Sequence, residues 1–498
     1  MAYGRLILLL LINFCGLHSF SQDVKGAFNV FALTPEVGTS SGILSRAGNN
    51  IQKVYGDLKT TIFLFEENGE RFCLLTSAFW VDHQDLRPAC IEILTKNLQV
   101  TPENIVTSSS HNHTVAWPLV DEIHKNAIDK AVQLSYQLGQ KFVKALDLAT
   151  QNLSSKLQPI HISWGRVEEN RISYNRRSVD SQGRAYFMRE EDRLSIAGEG
   201  YHGIIDPDAT VVLFKDLKDK PLAALTNFAA HPLAAYNPEE MISFGQFPQM
   251  ANDKLSAHLG GVPVGFVQGC SGDLNAKHML TGTIEQARSL GEMLGDSFIK
   301  AAQRTVKSRR SGIQWKKTEV AVPFAKFPSL SSLEADLREM NDFIKRGNAG
   351  DQNTMYCVGM NFSVNFSPAY RARLVEMVKP WYEWGISQHT NNRIHQLPTH
   401  RTLDMVVATF GDIGFVAMPY EPFVKTGLKI KQEANLPCVL TAGYSNGSNG
   451  YIPDASAVND REYMAGHFRY VKNGQPYAAP GADVFAIESV KILNQFAK

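Results

Sequence analysis

The chain has 498 residues, of which 20% are charged, and its formal net charge is +1 at pH 7. Because positive and negative charges are nearly equal in number, the composition indicates neither a basic surface for nucleic acid nor electrostatic binding to an anionic membrane. No Ser/Gly linker, low-complexity stretch or repeat of fixed period divides the sequence. We therefore expect one large domain, which spans residues 22–498.

The N-terminus, residues 1–21, has the pattern of a cleavable secretory signal. Arg5 supplies a positive charge, and Leu6–Phe14 is an apolar run too short to span a bilayer. Ser19 and Ser21 are the small residues that precede a cleavage position. We predict a secreted or periplasmic protein without a transmembrane segment; a membrane anchor on the same run is the alternative.

Five cysteines follow the signal: Cys73, Cys90, Cys270, Cys357 and Cys438. None of them forms a CxxC pair, which argues against a zinc–thiolate site. An oxidising compartment would permit one or two disulfides, and the sequence does not choose their partners.

Strand-like and helical patterns mix without strict order along the chain. In chain order, strands are predicted at Phe28–Leu33, Thr60–Glu66, Arg71–Phe79, Ile105–Ser109, Thr210–Lys215, Leu222–Ala230, Val262–Val267, Met405–Met418 (a pair) and Val439–Tyr444. Helices are predicted at Asp121–Thr150, Pro248–Leu259, Thr283–Thr305, Leu330–Lys345 and Ala369–Trp384. This pattern predicts a mixed α/β (α+β) domain whose functional residues lie on loops at strand ends.

Polar residues stand in or just after several apolar, strand-like runs, where a core position would be Val or Ile. They are His111, Asn112, His113, His231, Glu421, Tyr451 and Tyr463. Two imidazoles, a carboxylate and a phenol are ligand types that can hold a divalent metal and leave one position open. This combination points to an enzyme that activates water.

His111 and His113 are two residues apart, which in an extended segment puts both imidazoles on one side. One could bind metal while the other shuttles a proton; the alternative is a pair of buried structural histidines. His231 ends an apolar run and precedes Pro232, so it is either a ligand or a capping residue.

The segment Gly269–Asn275 follows a predicted strand. Its glycines permit unusual backbone shapes, so the loop could present N–H groups to a substrate oxygen. The alternative is a plain turn capped by Asp273. Tyr451 has two interpretations as well: a phenol whose pKa a bound metal lowers, or a packing residue in a Gly/Asn-rich loop.

Taken in order, these segments resemble the neutral (non-lysosomal) ceramidase family over its N-terminal catalytic domain. The family pattern runs HTHS, NFAxHP, QGxxGDxSP, PxEPF, a GYxxGY-like loop and a later tyrosine. The matching segments are His111–Thr114, Asn227–Pro232, Gln268–Asn275, Pro419–Phe423, Gly443–Tyr451 and Tyr463, with Ser173–Arg177 and Gly203–Pro207 similar to two further family segments. The resemblance extends from about Phe28 to the C-terminus.

The resemblance implies a zinc site formed by His111, His231, Glu421 and Tyr451. Zinc lowers the pKa of a bound water towards neutrality, and the resulting hydroxide attacks a carbonyl. The cofactor that the resemblance implies is thus Zn2+, and the implied reaction is hydrolysis of an amide bond.

The resemblance also implies that His113 is the acid/base residue. Tyr463 and Arg176 would polarise the scissile carbonyl and stabilise the oxyanion. Ceramide, or a related N-acyl lipid, is the substrate that the analogy supplies.

Several positions depart from the family pattern. The serine of the family's GDxSP segment, often assigned as its nucleophile, is Asn275 in this chain, which excludes a serine nucleophile at this position and leaves a metal–water mechanism. The glycine-rich segment after HTHS is Val115–Pro118, and an acidic position is Gln246. The chain ends soon after Tyr463, so we expect no C-terminal β-sandwich. These departures bear on the substrate more than on hydrolysis.

Two other classes of function are open on the sequence. One is a metal-dependent esterase, lactonase or carbohydrate-active enzyme, in which Trp117, Trp381 and Trp384 could stack on sugars. The other is a non-catalytic binding protein that has lost its nucleophile.

Overall fold

The structure is a computed structural model that describes residues 24–41, 50–236, 241–280 and 282–498. The predicted signal, residues 1–21, lies outside the described residues. Within the described part of the chain, no helix combines the length and the apolar character needed to cross a bilayer.

Three main sheets organise the domain, and the strands of each sheet follow one another in space in a fixed order. The N-terminal sheet consists, from edge to edge, of Ile105–Ser109, Glu70–Ser77, Leu58–Glu67, Lys25–Leu33 and Gln158–Pro159. The middle sheet consists of Val264–Gln268, Pro221–Phe228, Asp208–Lys215, His161–Glu168 and Val306–Lys307. The C-terminal sheet consists of Ile313–Pro323, His400–Phe410, Ile413–Ala417 and Cys438–Ala442.

Helices pack against the sheets, and short two-stranded pairs join segments of the loops that lie between the main elements. The α-helices are Arg87–Leu98, Lys130–Thr150, Glu190–Asp192, Gln246–His258, Ile284–Gln303, Leu330–Asn348, Pro368–Glu376, Lys379–Thr390, Val424–Glu433 and Asp483–Phe496. The short pairs are Lys53–Val54 with Ile242–Ser243, Ser173–Asn175 with Leu274–Ala276, Arg177–Val179 with Ala185–Phe187, Tyr356–Cys357 with Met360–Asn361, and Glu421–Pro422 with Tyr451–Ile452. The molecule is therefore one large mixed α/β domain, as the sequence predicts.

Two predicted helices differ from the structure. The helix predicted from Asp121 begins only at Lys130, where the carboxylate of Asp129 accepts the N–H of Ala131 and caps the first turn. The helix predicted over Ala369–Trp384 is two helices, and the second has Pro380 in its first turn. Proline cannot continue a preceding helix, because its ring collides with the carbonyl four residues earlier.

Each main sheet follows the same plan. An antiparallel hairpin is followed by a helix that crosses to a strand parallel to the second hairpin strand. In the N-terminal sheet the hairpin is Leu58–Ser77 and the parallel strand is Ile105–Ser109. Because neighbouring parallel strands end at the same edge, the loops that follow them lie side by side.

The three sheets meet in one apolar core. Phe65, Phe214 and Phe410 come from the N-terminal, middle and C-terminal sheets, respectively. Their ring centroids are 5.0 Å apart for Phe65 and Phe214, 5.2 Å for Phe65 and Phe410, and 5.8 Å for Phe214 and Phe410. This contact fixes the three sheets relative to one another, and with them the loops at their strand ends.

The five cysteines after the predicted signal are free and buried. Burial raises the pKa of Cys90 and of Cys270 to about 12, so these thiols stay protonated. No disulfide links these five cysteines in the structure, and they pack as core residues.

The shared core predicts a large effect of truncating one of its rings. Phe65→Ala should lower the free energy of unfolding by about 3–5 kcal/mol, because it leaves a cavity where three sheets meet. Leu148→Ala is the control, since Leu148 is 60% exposed, and it should change stability by no more than about 0.5 kcal/mol. Urea unfolding followed by circular dichroism measures both; equal losses would contradict the proposed role of the core.

Candidate metal centre

Each main sheet contributes one polar side chain to a common buried site. His111 follows the strand Ile105–Ser109, His231 follows Pro221–Phe228, and Glu421 follows Ile413–Ala417. Oε2 of Glu421 lies 3.3 Å from Nε2 of His111 and 3.0 Å from Nε2 of His231. Residues up to 310 positions apart in the sequence thus meet around one carboxylate oxygen.

The hydrogen bonds of His231 define which of its ring nitrogens carries a proton. Nδ1 lies 2.8 Å from the carbonyl oxygen of Ser271 and 3.0 Å from that of Leu274. Carbonyl oxygens only accept, so Nδ1 is the donor and Nε2 of the neutral ring has a lone pair. Burial, together with the nearby charge of Arg176, lowers the pKa of His231 to about 3, so the ring is neutral at physiological pH.

Glu421 is ionised although it is buried. Burial by itself raises the pKa of this carboxyl, but its electrostatic interactions with the adjacent imidazoles, first that of His111 and then that of His231, outweigh burial and hold the pKa well below its usual value. The lone pair of His231 Nε2 and an oxygen of a carboxylate therefore face each other. Two acceptors in this arrangement are satisfied when a cation lies between them, so the residues present fit a divalent metal.

The segment around His111 is a turn and not the extended stretch that the sequence predicted. His111 has a φ of 60°, in the left-handed region, a conformation that costs roughly 1–3 kcal/mol for a residue other than glycine. The side-chain oxygen of Asn112 accepts the N–H of Thr114 at 2.9 Å, and its amide donates to the Phe244 carbonyl at 2.8 Å. The rings of His111 and His113 are nevertheless adjacent, with centroids 4.7 Å apart.

His113 completes a cluster of three imidazoles. Ligand atoms of His111, His113 and His231 all lie within 4.8 Å of one another. His111 and His231 are buried, whereas His113 is only partly buried. His113 is thus the least buried residue of the cluster, although its Nε2 atom is itself buried.

Tyr451 is held next to Glu421 by a parallel strand pair in which the two residues are partners. Its ring centroid lies 6.2 Å from that of His231, and its phenol oxygen accepts a hydrogen bond from Nη2 of Arg176 at 3.1 Å. Burial raises the pKa of Tyr451 above its usual value, so the phenol is protonated in this arrangement. The structure places Tyr451 beside the other predicted ligands, and its deprotonation would require a nearby metal.

Arg176 is a buried cation within the site. Nε and Nη2 donate to the carbonyl of Gly272 at 3.2 Å and 2.6 Å. Nη1 donates to Oδ1 of Asn275 at 3.1 Å, and Nη2 also lies 3.4 Å from Nε2 of His231. The guanidinium therefore presents a fixed positive charge next to two predicted ligands, His231 and Tyr451.

Tyr463 lies at the edge of the site and is partly exposed. Its ring centroid is 5.8 Å from that of Tyr451 and 5.6 Å from that of Phe187. Burial raises its pKa well above the usual value, so its hydroxyl is a donor. The structure thus places all the predicted site residues close together: His111, His113, Arg176, His231, Glu421, Tyr451 and Tyr463.

The glycine-rich loop Gly269–Asn275 is structural in most of its contacts. The N–H of Gly272 donates to the Pro422 carbonyl at 3.0 Å, and a Cβ at Gly272 would meet the Glu421 carbonyl oxygen at 2.5 Å. Oδ1 of Asp273 accepts the N–H of Val424 at 2.7 Å and so caps the helix Val424–Glu433. Asp273 therefore caps a helix that is distant in sequence and not only its own turn, and the Gly272 N–H is bonded to the segment that contains Glu421.

Asn275 is fully buried, and both ends of its amide have partners. Its oxygen accepts from Nη1 of Arg176, and its nitrogen contacts the sulfur of Met279. An amide has no hydroxyl to act as a nucleophile, so this position holds Arg176 in place and does not attack a substrate.

Sequence reasoning missed two aromatic residues of the site. The ring centroid of Tyr444 lies 4.3 Å from that of His111, and its hydroxyl is 2.9 Å from Oγ of Ser271. The ring centroid of Trp80 lies 4.6 Å from that of His111. Tyr444 belongs to the family-like segment Gly443–Tyr451, and Trp80 directly follows the predicted strand Arg71–Phe79, so each position carried a signal in the sequence.

Two solved structures are similar to this chain over almost its whole length. One is neutral ceramidase from Pseudomonas aeruginosa, with a TM-score of 0.61, 16% identity and an alignment that covers 95% of this chain and 74% of that chain. The other is described as ceramidase complexed with C2, with a TM-score of 0.60, 15% identity and coverage of 95% and 75%. No protein-family model matches the chain, and a search of curated protein sequences gives no match.

The class of protein follows from these comparisons and from the arrangement of the three sheets: the chain has a neutral ceramidase-like fold. This confirms the resemblance that its ordered motifs indicate. At 16% identity the similarity establishes the fold and leaves the activity to be argued from the site.

Glu462 holds the segment that carries Tyr463. Its carboxylate is fully buried and accepts the backbone N–H groups of Met464 at 2.6 Å and Ala465 at 2.8 Å. Burial raises its pKa from 4.5 to about 7, although both hydrogen bonds act in the opposite direction. The folded protein therefore binds a proton at Glu462 at pH values where the unfolded chain has released it.

This raised pKa predicts a pH-dependent difference between the wild-type protein and Glu462→Gln. The contribution of Glu462 to stability is complete below pH 4.5 and is lost as the pH rises towards about 7, at up to about 1.4 kcal/mol per pH unit. Glutamine does not titrate, so the wild type should lose stability relative to the variant across this window. Urea midpoints of both proteins between about pH 5 and about pH 8 measure the difference; a constant difference would show that Glu462 titrates normally.

Proposed function

We propose that this protein is a metal-dependent hydrolase that cleaves an amide bond by activating water. The observation that carries the proposal is the lone pair of His231 Nε2, which faces the ionised Glu421 Oε2 at 3.0 Å, with Nε2 of His111 3.3 Å from the same oxygen. The neutral ceramidase-like fold supports the reaction class.

The metal is proposed to be Zn2+, held by His111, His231, Glu421 and Tyr451. Two imidazole nitrogens, a carboxylate oxygen and a phenol oxygen are donors that zinc accepts. When bound, a divalent ion lowers the pKa of coordinated water towards neutrality and polarises a carbonyl. The carbonyls of Ser271 and Leu274 hold the His231 ring in the tautomer that ligation requires.

His113 is proposed as the acid/base residue. Its ring lies next to those of His111 and His231, and the residue is partly exposed. It takes the proton of the attacking water and returns it to the amine that leaves, which balances the proton over the reaction. Acid/base catalysis of this kind typically contributes ~10²–10⁴-fold to the rate.

Arg176 and Tyr463 are proposed to stabilise the oxyanion that forms at the scissile carbonyl. Arg176 is anchored through Gly272 and Asn275, so its charge is already oriented before substrate binds. Such a donor is worth about 3 kcal/mol in transition-state stabilisation. Asn275 excludes a serine nucleophile at its position, and the reaction therefore depends on water.

The proposed substrate is ceramide (N-acylsphingosine) or a related N-acyl lipid. The fold supplies this by analogy. Buried apolar side chains pack around the site, namely Phe187, Leu233, Tyr236, Met279, Phe423, Tyr451, Ala457 and Met464, with Leu280 and Tyr463 packed against them. Cleavage of the predicted signal would export residues 22–498 as the active domain.

The three tryptophans named for sugar stacking do not support a carbohydrate-active enzyme. Trp117 and Trp381 are buried, and Trp384 packs in the same apolar cluster as Trp381. The indole N–H of Trp381 donates to the Gly474 carbonyl at 2.7 Å. None of the three tryptophans named for sugar stacking thus presents a free ring face to the metal centre.

The first test concerns the metal. Wild-type protein should bind about one zinc per chain, as a single site of this ligand set implies. His111→Ala and His231→Ala should each lose it, because each removes one imidazole ligand. His389→Ala is the matched control, since His389 hydrogen-bonds the Pro328 carbonyl on another part of the domain. Equilibrium dialysis with elemental analysis measures the stoichiometry; unchanged binding in either ligand variant would refute the assignment.

The second test separates acid/base catalysis from coordination. His113→Gln should retain the metal and lose about 10²–10⁴-fold in kcat, because only the proton shuttle is removed. Loss of stoichiometric zinc in this variant would instead make His113 a ligand of a three-histidine site. Dialysis and steady-state kinetics on the same preparation distinguish the two roles.

The substrate class is tested with panels of compounds. Turnover of a fluorescent N-acylsphingosine should exceed turnover of matched esters, lactones and glycosides. Preference for an ester would move the proposal to an esterase with the same metal centre. Bound zinc without turnover on any panel would favour a non-catalytic binding protein.

A further inference from the structure

Trp80 contacts every residue of the His111–Asn112–His113 turn. Its ring centroid is 4.6 Å from that of His111, with an interplanar angle of 33°, and 6.0 Å from that of His113. Its indole N–H donates to the carbonyl of Asn112 at 2.8 Å. A single side chain thus touches the predicted ligand, the predicted proton shuttle and the peptide between them.

The sheet explains why these segments meet. Trp80 follows the strand Glu70–Ser77, and His111 follows the parallel neighbour Ile105–Ser109. Both loops leave the sheet at the same edge, so the indole reaches the turn without a long connection. A short hydrogen-bonded path also links the loops, because the Ser109 hydroxyl contacts the carboxylate of Asp82.

The turn is strained at His111, where φ is 60°. A residue other than glycine persists in this conformation only when its surroundings enforce it. The amide of Asn112 provides one restraint through Phe244, and the indole N–H of Trp80 provides another through the Asn112 carbonyl. The ring of Trp80 provides a third by packing against His111 itself.

We propose that Trp80 is a positioning residue of the metal centre. It holds His111 in the left-handed conformation and thereby keeps Nε2 of His111 close to Oε2 of Glu421. The inference rests on the proposed function in one respect, namely that His111 is a metal ligand. Residues that orient ligands without touching the metal typically change metal affinity by about 10–100-fold when they are replaced.

Trp117 offers a matched control. Its ring lies 5.5 Å from that of Trp80, and its indole N–H donates to Asp85 at 3.1 Å. Its imidazole neighbour is His83, at 4.9 Å, and not a residue of the metal centre. Trp117→Phe makes the same chemical change as Trp80→Phe one ring further from the metal.

The test uses Co2+, whose visible absorption reports the geometry of its ligands. Trp80→Phe keeps a ring and loses the N–H, and should weaken Co2+ binding about tenfold. Trp80→Leu loses both and should weaken it about 100-fold. At saturating Co2+ the absorption spectrum of Trp80→Leu should also change, because His111 is no longer held in place; Trp117→Phe should keep the wild-type spectrum and bind Co2+ within about threefold of wild type.

The outcomes separate the two proposals. If wild type binds Co2+ and Trp80→Leu binds it with the same affinity and spectrum, the role of Trp80 is refuted. If wild type binds no Co2+, the metal proposal fails, and a crystal structure of metal-free Trp80→Leu decides the role of Trp80. A positive φ retained at His111 would then refute positioning, and a negative φ would support it. If Trp80→Leu does not fold, Trp80→Phe answers the same questions.

Discussion

Phe65, Phe214 and Phe410 pack ring against ring, although each belongs to a different sheet. Burial of aromatic side chains is among the largest favourable terms in folding, and close packing leaves little freedom for the sheets to shift. The candidate metal centre depends on this contact because each sheet supplies one of its polar residues. The distances between His111, His231 and Glu421 are therefore set by a core that contains none of them.

Electrostatics is the second constraint. A buried carboxylate is costly unless charges and hydrogen bonds compensate for its lost hydration. Glu421 is compensated by two imidazoles, and Arg176 adds a buried positive charge beside His231. The same arrangement that makes this interior tolerable creates a place where a divalent cation would be favoured. Arg176 would lie close to such a cation, and its hydrogen bonds to Gly272 and Asn275 fix the position of the guanidinium.

A layer of residues that do not touch the proposed metal holds the ones that do. Asp273 caps the helix after Glu421, and the Ser271 and Leu274 carbonyls orient His231. Trp80 packs on the turn of His111. This layer consists of short loops between strand ends, whose positions follow from the parallel pairing of the strands and not from local propensity.

Much of the secondary structure and of the candidate site could be predicted from the sequence. The strand Ile105–Ser109 and the hairpin around Asn68–Gly69 have local patterns, β-branched or alternating apolar residues and a turn signal, that act over a few residues. The polar residues at strand ends were visible because they interrupt apolar runs. The split of the helix at Pro380 was missed although its signal is local, because apolar periodicity was given more weight than the proline.

What the sequence determined by itself was the chemistry available: which side chains could bind a metal, and the absence of a serine at position 275. Only the tertiary structure decided how these side chains are used. In the folded protein, Nδ1 of His231 donates to two carbonyls and Asn275 accepts a hydrogen bond from Arg176. The backbone of His111 adopts the left-handed conformation. These features arise from contacts between segments far apart in the chain. A local pattern contains no information on them, because the energy of such contacts depends on three sheets packing together.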